Sequence, residues 1–260
     1  MPKSIAGQII VVTGASSGIG ELLSRKIAAE GAFPVMMARS EDKLRQISEE
    51  IQEEHEWMPV DVRDEDQVNR AMAQVLSKHG RIDVLVNNAG YGIFERLEDA
   101  SMSSIEDMMD VNYFGTVRCI KAVLPHMMKA GSGQIVNIAS MAGKVGSAKS
   151  TGYSATKHAV LGFTNCLRQE LAGTGITVSS VNTGPIDTPF FDRADPSGQY
   201  VKNISWFMLK PEQVVQAIIQ VIHRKKAEVD LPFVAGIGSK MYQLFPRWAD
   251  RLFASVLNRK

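Results

Sequence analysis

The sequence predicts an α/β fold, a doubly wound parallel sheet of about seven strands, on three observations. Short runs dense in Val and Ile alternate with longer amphipathic stretches, the pattern of strands buried on both faces and covered by helices. The first run feeds a glycine-rich turn, Thr13-Gly-Ala-Ser-Ser-Gly-Ile-Gly20, which opens directly into a helical pattern. Polar residues recur at the ends of later runs, where open parallel sheets bind their ligands.

The strand runs, in order, are Ile9–Thr13, Pro34–Ala38, Trp57–Val60, Val84–Asn87, Gln134–Ile138, Thr177–Val181 and Val229–Phe233. Between them, Ile19–Glu30 carries Leu22, Leu23, Ile27 and Ala28 at helical spacing. Glu41–Glu54 and Glu65–Lys78 are more polar and belong on the outside. Ile105–Met128 and Tyr153–Leu171 are long and richer in apolar residues, as expected of helices that bury two faces. Right-handed crossovers join such units into a Rossmann-type sheet. No repeat, low-complexity segment or long linker divides the chain. One domain is expected: residues 1–238 carry the dinucleotide-binding and catalytic parts, and 239–260 form an amphipathic extension in which Pro246 starts a final helix.

Bulk composition narrows the function classes. With 260 residues, 45% hydrophobic and 22% charged at a formal net charge of +1, nothing global calls for nucleic acid or an acidic partner. The cysteines, Cys119 and Cys166, lie in helical stretches with no metal-ligand spacing around them. They read as buried thiols in a reducing compartment, and no metal is expected. The apolar run Ile9–Val12 is too short for a signal-peptide core or a membrane span, so the expected location is cytoplasmic.

The glycine-rich turn suits a dinucleotide. Its glycines let the backbone turn tightly and approach a pyrophosphate, whose charge sits against the amides of a helix N-terminus. Gly14, Ser16, Ser17, Gly18, Ile19 and Gly20 are the candidates, although three residues rather than one separate the first two glycines. An NAD site usually places an acid at the end of the second strand to hold the ribose 2′-hydroxyl. Here that end reads Met37-Ala38-Arg39-Ser40, with no acid until Glu41. A guanidinium grips a 2′-phosphate through charge-assisted hydrogen bonds. The cofactor expected is therefore NADP(H) rather than NAD(H), with Arg39 as main determinant and Ser40 assisting.

Chemistry is signalled by Tyr153 and Lys157, four residues apart and so on one helical face. A free phenol has a pKa of about 10, and a neighbouring ammonium is expected to lower it toward the working range. Ser140 follows the strand Gln134–Ile138 and is placed to hydrogen-bond a substrate oxygen. The preceding strand ends in Asn87-Asn88-Ala89-Gly90, and the next helical stretch carries Asn112. All of these converge on one crevice if the sheet is built as predicted.

Taken together, the Thr13–Gly20 turn, Asp61-Val62, Asn87–Gly90, Asn112, Ser140 and Tyr153-x-x-x-Lys157 resemble the short-chain dehydrogenase/reductase family. The resemblance implies that Tyr153 exchanges a proton with the substrate oxygen while Ser140 orients that oxygen. It implies that Lys157 lowers the tyrosine pKa and binds the nicotinamide ribose, and that Asn112 holds a water linking Lys157 to solvent. Asp61 and Val62 would flank the adenine, Asn88, Ala89 and Gly90 would lie near the adenosine ribose, and Ile186 and Thr188 would contact the nicotinamide end. Two positions depart from the family pattern. The usual Pro-Gly order is reversed at Gly184-Pro185, leaving the role of Pro185 open, and Ser17 stands where many NADP-using relatives carry a base.

In the family, the segment from Thr188 to about Trp206 is a substrate loop. Here it carries Phe190, Phe191, Tyr200, Trp206 and Phe207, which suits either an aromatic flap over an apolar substrate or packing against the domain. The 239–260 extension, apolar and cationic, suits covering the domain, a subunit contact, a wall of the substrate cleft or contact with an anionic membrane. Its pattern resembles bacterial reductases of the hydroxysteroid-dehydrogenase-like branch. The expected partner is a small carbonyl or alcohol substrate, with a homodimer or homotetramer as the assembly. A 3-oxoacyl thioester reductase and a dinucleotide-binding redox sensor without turnover are the alternatives.

Overall fold

Along β1 (Ile9–Thr13) every side chain is buried, and successive residues enter opposite cores: Ile9 and Val11 join one, Ile10 and Val12 the other. The next strand, β2 (Phe33–Ala38), repeats this with Val35 and Met37 against Met36 and Ala38. Each such aliphatic side chain gains roughly 1.5–3 kcal/mol on full burial, so both faces of the sheet must be covered. The protein, described over residues 4–247 in a computed structural model, covers them with helices.

After β1 come α1 (Gly18–Ala29), β2, α2 (Glu41–Glu50), β3 (Glu56–Pro59), α3 (Glu65–His79) and β4 (Val84–Asn87). The chain continues through α4 (Met102–Met109), α5 (Gly115–Ala130), β5 (Gly133–Ile138), α6 (Thr151–Glu170) and β6 (Ile176–Thr183). It ends with α7 (Phe190–Ala194), α8 (Gln199–Ile204), α9 (Pro211–Arg224), β7 (Glu228–Leu231) and α10 (Phe233–Leu244). The strands form a parallel sheet in the order β3-β2-β1-β4-β5-β6-β7. One core holds residues of α3, α4, α5 and α6, and the other residues of α1, α2 and α9. Strand order reverses between β1 and β4, which sets the ligand crevice outside their carboxyl ends.

Several elements differ from expectation. The stretch expected as one helix over Ile105–Met128 is α4 and α5 joined by a π-turn at Asp110–Phe114. Contacts from outside the helix hold this wider turn, the Asn112 side chain bonding to Tyr91 and Thr156, and within the helix Thr116 Oγ1 donates to the Asn112 carbonyl (2.9 Å). The last strand stops at Leu231 instead of Phe233, because Pro232 has no N–H with which to continue a ladder. Helix α9 is absent from the sequence reading although its signal was present, a Pro at its first turn and Val214, Val215, Ile218, Ile219 and Ile222 at helical spacing. Of the two cysteines expected to be buried, Cys119 is and Cys166 is exposed, on the outer side of α6.

The boundary drawn between 238 and 239 falls inside α10. The described chain ends in helical backbone at Pro246 and Arg247, and the rest of the helix expected from Pro246 lies outside the described residues. The expectations placed on Trp248, Asp250, Arg251, Leu252, Phe253, Leu257, Arg259 and Lys260 lie outside the described residues.

Candidate active site

The glycine turn is built by close backbone approach. Gly14 has φ +66°, and a Cβ there would lie 2.7 Å from the Ala89 Cα. Thr13 Oγ1 accepts from the amides of Asn88 (3.1 Å) and Ala89 (3.0 Å), and Asn88 Nδ2 donates to the carbonyls of Thr13 (3.0 Å) and Gly14 (3.2 Å). Asn88, expected beside the cofactor ribose, is thus a strut that ties the end of β4 to the turn after β1. Thr13, absent from the candidate set, is its counterpart. Ser17 is the N-cap of α1 but its side chain makes no capping bond, so the first-turn amides keep their donors for an anion.

A cavity of about 1160 Å³ begins at this turn. Gly14, Ser16, Ser17, Gly18, Ile19, Arg39, Ser40, Asp61, Val62, Asn88, Ala89 and Gly90 line one end, and Ser140, Tyr153, Lys157, Ile186 and Thr188 line it further along. Among the site residues expected from sequence, Gly20 and Asn112 lie outside this lining. Lys43, in the first turn of α2, joins Arg39 at the rim and was missed. It is a lysine on an exposed polar helix, and only the fold shows that it faces the same opening as Arg39.

Asp61 is engaged from its own side. Burial pushes its carboxyl up, but hydrogen bonds and charge from Arg63 outweigh that and hold it below the ordinary carboxylate value. Arg63 Nη1 also bonds to Asp107 (2.6 Å), Asp107 accepts from the Tyr91 hydroxyl, and the Arg193 guanidinium lies 3.4 Å over the Tyr91 ring. This chain of contacts links the Asp61 end of the cavity to α7. Tyr91 was not singled out from the sequence because each of its partners is remote along the chain.

At the catalytic end, α6 presents Tyr153 and Lys157 to the cavity, both buried. Asn112 is a brace: its Oδ1 accepts from the Tyr91 amide (3.0 Å), and its Nδ2 donates to the Tyr91 carbonyl (2.9 Å) and Thr156 Oγ1 (3.0 Å). Ser140 Oγ donates to the Thr183 carbonyl (3.2 Å) and accepts from the Ala142 amide (3.0 Å).

The Tyr153 phenol shifts in the direction opposite to the expected one, and burial is the main cause. Burial pushes the Tyr153 phenol up to about 12, with a hydrogen bond from Ser140 pulling it partly back. Lys157 Nζ donates to the Ile138 carbonyl (2.9 Å) and lies 5.8 Å from the Tyr153 ring centroid. Burial lowers Lys157 itself to about 8. Removal from water is the largest influence on both groups.

This has a consequence for stability. The native lysine gives up its proton near pH 8 while the unfolded chain holds it to about 10.5. Its contribution is complete above 10.5 and is lost as pH falls through about 8. A shift of that size corresponds to roughly 3 kcal/mol. Thermal melts at stepped pH should show wild-type Tm rising relative to Lys157→Met between pH 8 and 10; parallel curves would refute a desolvated ammonium.

Aromatic rings close the far end. Phe94 packs edge-on against Tyr153 (5.9 Å) and Tyr200 (5.2 Å), and Phe190 lies 5.6 Å from Tyr153. Phe190, Phe191, Tyr200 and Phe207 all line the cavity, whereas Trp206 is 78% exposed. The loop aromatics therefore pack against one another and line the cavity. Met241, Tyr242 and Phe245 of the C-terminal extension wall the same chamber. The reversed Gly184-Pro185 pair has a structural reason: the Gly184 amide donates to the Leu231 carbonyl (2.6 Å), a bond that proline at 184 would forfeit. Pro185 lines the cavity, and its carbonyl accepts from Leu209 (2.9 Å).

Comparison with known proteins agrees with this geometry. The family model described as short chain dehydrogenase matches residues 8–197. The oxidoreductase YxnA of Bacillus subtilis is 32% identical over 265 residues, covering 98% of this chain and 74% of that protein. A short-chain dehydrogenase from Streptomyces avermitilis superposes with a TM-score of 0.83 at 28% identity, over 98% of both chains. The closed form of a serine dehydrogenase complexed with NADP+ gives 0.81 at 30% identity, over 86% of this chain and 94% of that one.

Proposed function

The chain belongs to the short-chain dehydrogenase family, and on that premise we propose that it is an NADP(H)-dependent oxidoreductase. It interconverts the carbonyl and alcohol of a small apolar substrate, with Tyr153 as proton donor and acceptor. The observation that carries this reading is the shape of the cavity. One continuous space runs from an uncapped helix N-terminus with two cations at its rim, past Ser140, Tyr153 and Lys157, into an aromatic chamber.

The residues present fit an NADP(H) molecule. Close-packed glycines and free first-turn amides suit the pyrophosphate, and Arg39 with Lys43 suits a 2′-phosphate. The similar serine dehydrogenase with NADP+ bound supports the same choice. Bound nicotinamide supplies or accepts the hydride. Ser140 holds the substrate oxygen, and Tyr153 passes it a proton or takes one back. Lys157 lies behind as a charge and proton reserve, while Phe94 and Phe190 exclude water from the reacting atoms. Asn112, Thr13 and Asn88 position these groups. The same reading places the protein in the cytoplasm, as a homodimer or homotetramer.

The test is NADPH oxidation by the purified protein over apolar ketones, aldehydes, steroid ketones and 3-oxoacyl thioesters. Fastest turnover on a free apolar carbonyl supports the proposal. Fastest turnover on a thioester moves it to an acyl-chain reductase, and tight NADPH binding without turnover to a redox sensor. For cofactor choice, Arg39→Ala should lower kcat/KM for NADPH by about 10- to 100-fold, as expected for a charge-assisted contact, and leave NADH nearly unchanged. An unaltered NADPH-to-NADH ratio would remove Arg39 from the role.

A further inference from the structure

We propose that the outward face of α10 docks on an anionic lipid bilayer. The helix has two faces. Inward, Gly236 and Ser239 are buried, and a Cβ on Gly236 would meet Asp230 Oδ2 at 2.5 Å, so the helix is seated tightly on β7. Outward, Phe233, Val234, Ile237 and Leu244 form an apolar stripe at helical spacing, 76%, 69%, 51% and 69% exposed. A contiguous apolar patch of this kind on a soluble protein marks an interaction surface.

Charge selects the partner. Phe233–Arg247 holds Lys240 and Arg247, both exposed, and no carboxylate. Residues 231–260 contain five Lys or Arg against the single acid Asp250, whereas the whole chain has 29 basic and 28 acidic residues. The rest of the sequence is therefore net acidic, and the described cations of this segment, Lys240 and Arg247, are both exposed. In an isologous contact with a second copy, that cationic face would meet itself. Anionic headgroups above an acyl layer complement both the charge and the stripe.

Access supports the same partner. Met241, Tyr242 and Phe245 of this segment wall the substrate chamber, and Phe207, another wall residue, lies edge-on to exposed Trp206 at 4.8 Å. The apolar end of the cavity and the apolar outer face thus share one helix. Among the described residues no helix is long and apolar enough to cross a membrane, so α10 would lie in the interface.

The experiment is co-sedimentation of the full chain with phosphatidylcholine vesicles, with and without phosphatidylglycerol. The expected result is pelleting with the anionic vesicles that falls as salt rises. It should drop about tenfold or more in Phe233→Ser/Ile237→Ser/Leu244→Ser and flatten against salt in Lys240→Glu/Arg247→Glu. Absence of lipid-dependent pelleting, or equal pelleting by the triple variant, would overturn the proposal. So would a wild-type dimer that becomes monomeric in the triple variant without lipid binding, which assigns the face to a second copy. Circular dichroism melts check that the variants fold. NADPH oxidation with a water-soluble ketone, measured alongside, reads the reductase function separately, since none of the substituted residues lines the cavity.

Discussion

Tyr153→Phe lowers kcat for carbonyl reduction by about 10²- to 10⁴-fold, the span for loss of a positioned general acid, with NADPH binding changed by less than about threefold. The separation of effects follows from what the substitution keeps. The phenylalanine ring retains the packing against Phe94 and Phe190, and the chamber stays closed. Only the hydroxyl bonded to Ser140 is lost. A phenol pushed up to about 12 is almost wholly protonated at neutral pH, which is the form reduction needs. Reduction should therefore be flat across neutral pH and decline above about 8, as the Lys157 ammonium titrates. Alcohol oxidation, which needs the phenolate, should rise with pH over the same range. Initial rates in both directions against pH check this. A variant within about tenfold of wild type would exclude Tyr153 as the acid.

Gly20→Ala destabilises the protein and weakens NADPH binding even though alanine is the better helix former. Replacing glycine inside a helix gains about 0.8–1.0 kcal/mol from propensity. Against this, the new Cβ would lie 2.3 Å from the Gly14 carbonyl oxygen and 2.6 Å from Asn88 Nδ2. The first is backbone and cannot rotate away. Overpacking of this kind costs about 1–3 kcal/mol, and relief requires the Gly14 turn to move. The clash should win, lowering Tm by roughly 2–8 °C and weakening NADPH affinity by about tenfold or more, because the moved turn is the pyrophosphate cradle. Differential scanning fluorimetry and fluorescence titration measure the two effects. A raised Tm with unchanged affinity would mean that the turn and helix are not packed as described.

Legibility of the fold followed from how locally each signal is encoded. β1 and β4 fall on the residues expected, Ile9–Thr13 and Val84–Asn87, because strands buried on both faces write themselves as continuous Val and Ile. Boundaries failed where a distant partner decides them. The π-turn at Asp110–Phe114 depends on Asn112 reaching Tyr91 and Thr156, and the end of β7 depends on Pro232 and on the amide of Gly184. The polarity of α9's flanks concealed a helix whose apolar stripe was nonetheless written out in full.

The sequence by itself determined the fold class, the family resemblance and the candidate reacting side chains, because periodicity, a glycine turn and a Tyr-Lys pair four residues apart are all local properties of the chain. Tertiary structure decided what those side chains experience. Asn88 and Asn112 became struts, Lys43 joined Arg39, Arg193 reached across to Tyr91, and burial moved Tyr153 up and Lys157 down. Each outcome depends on burial and on partners distant in sequence, and the free energy of removing a charge from water cannot be read from neighbours along the chain.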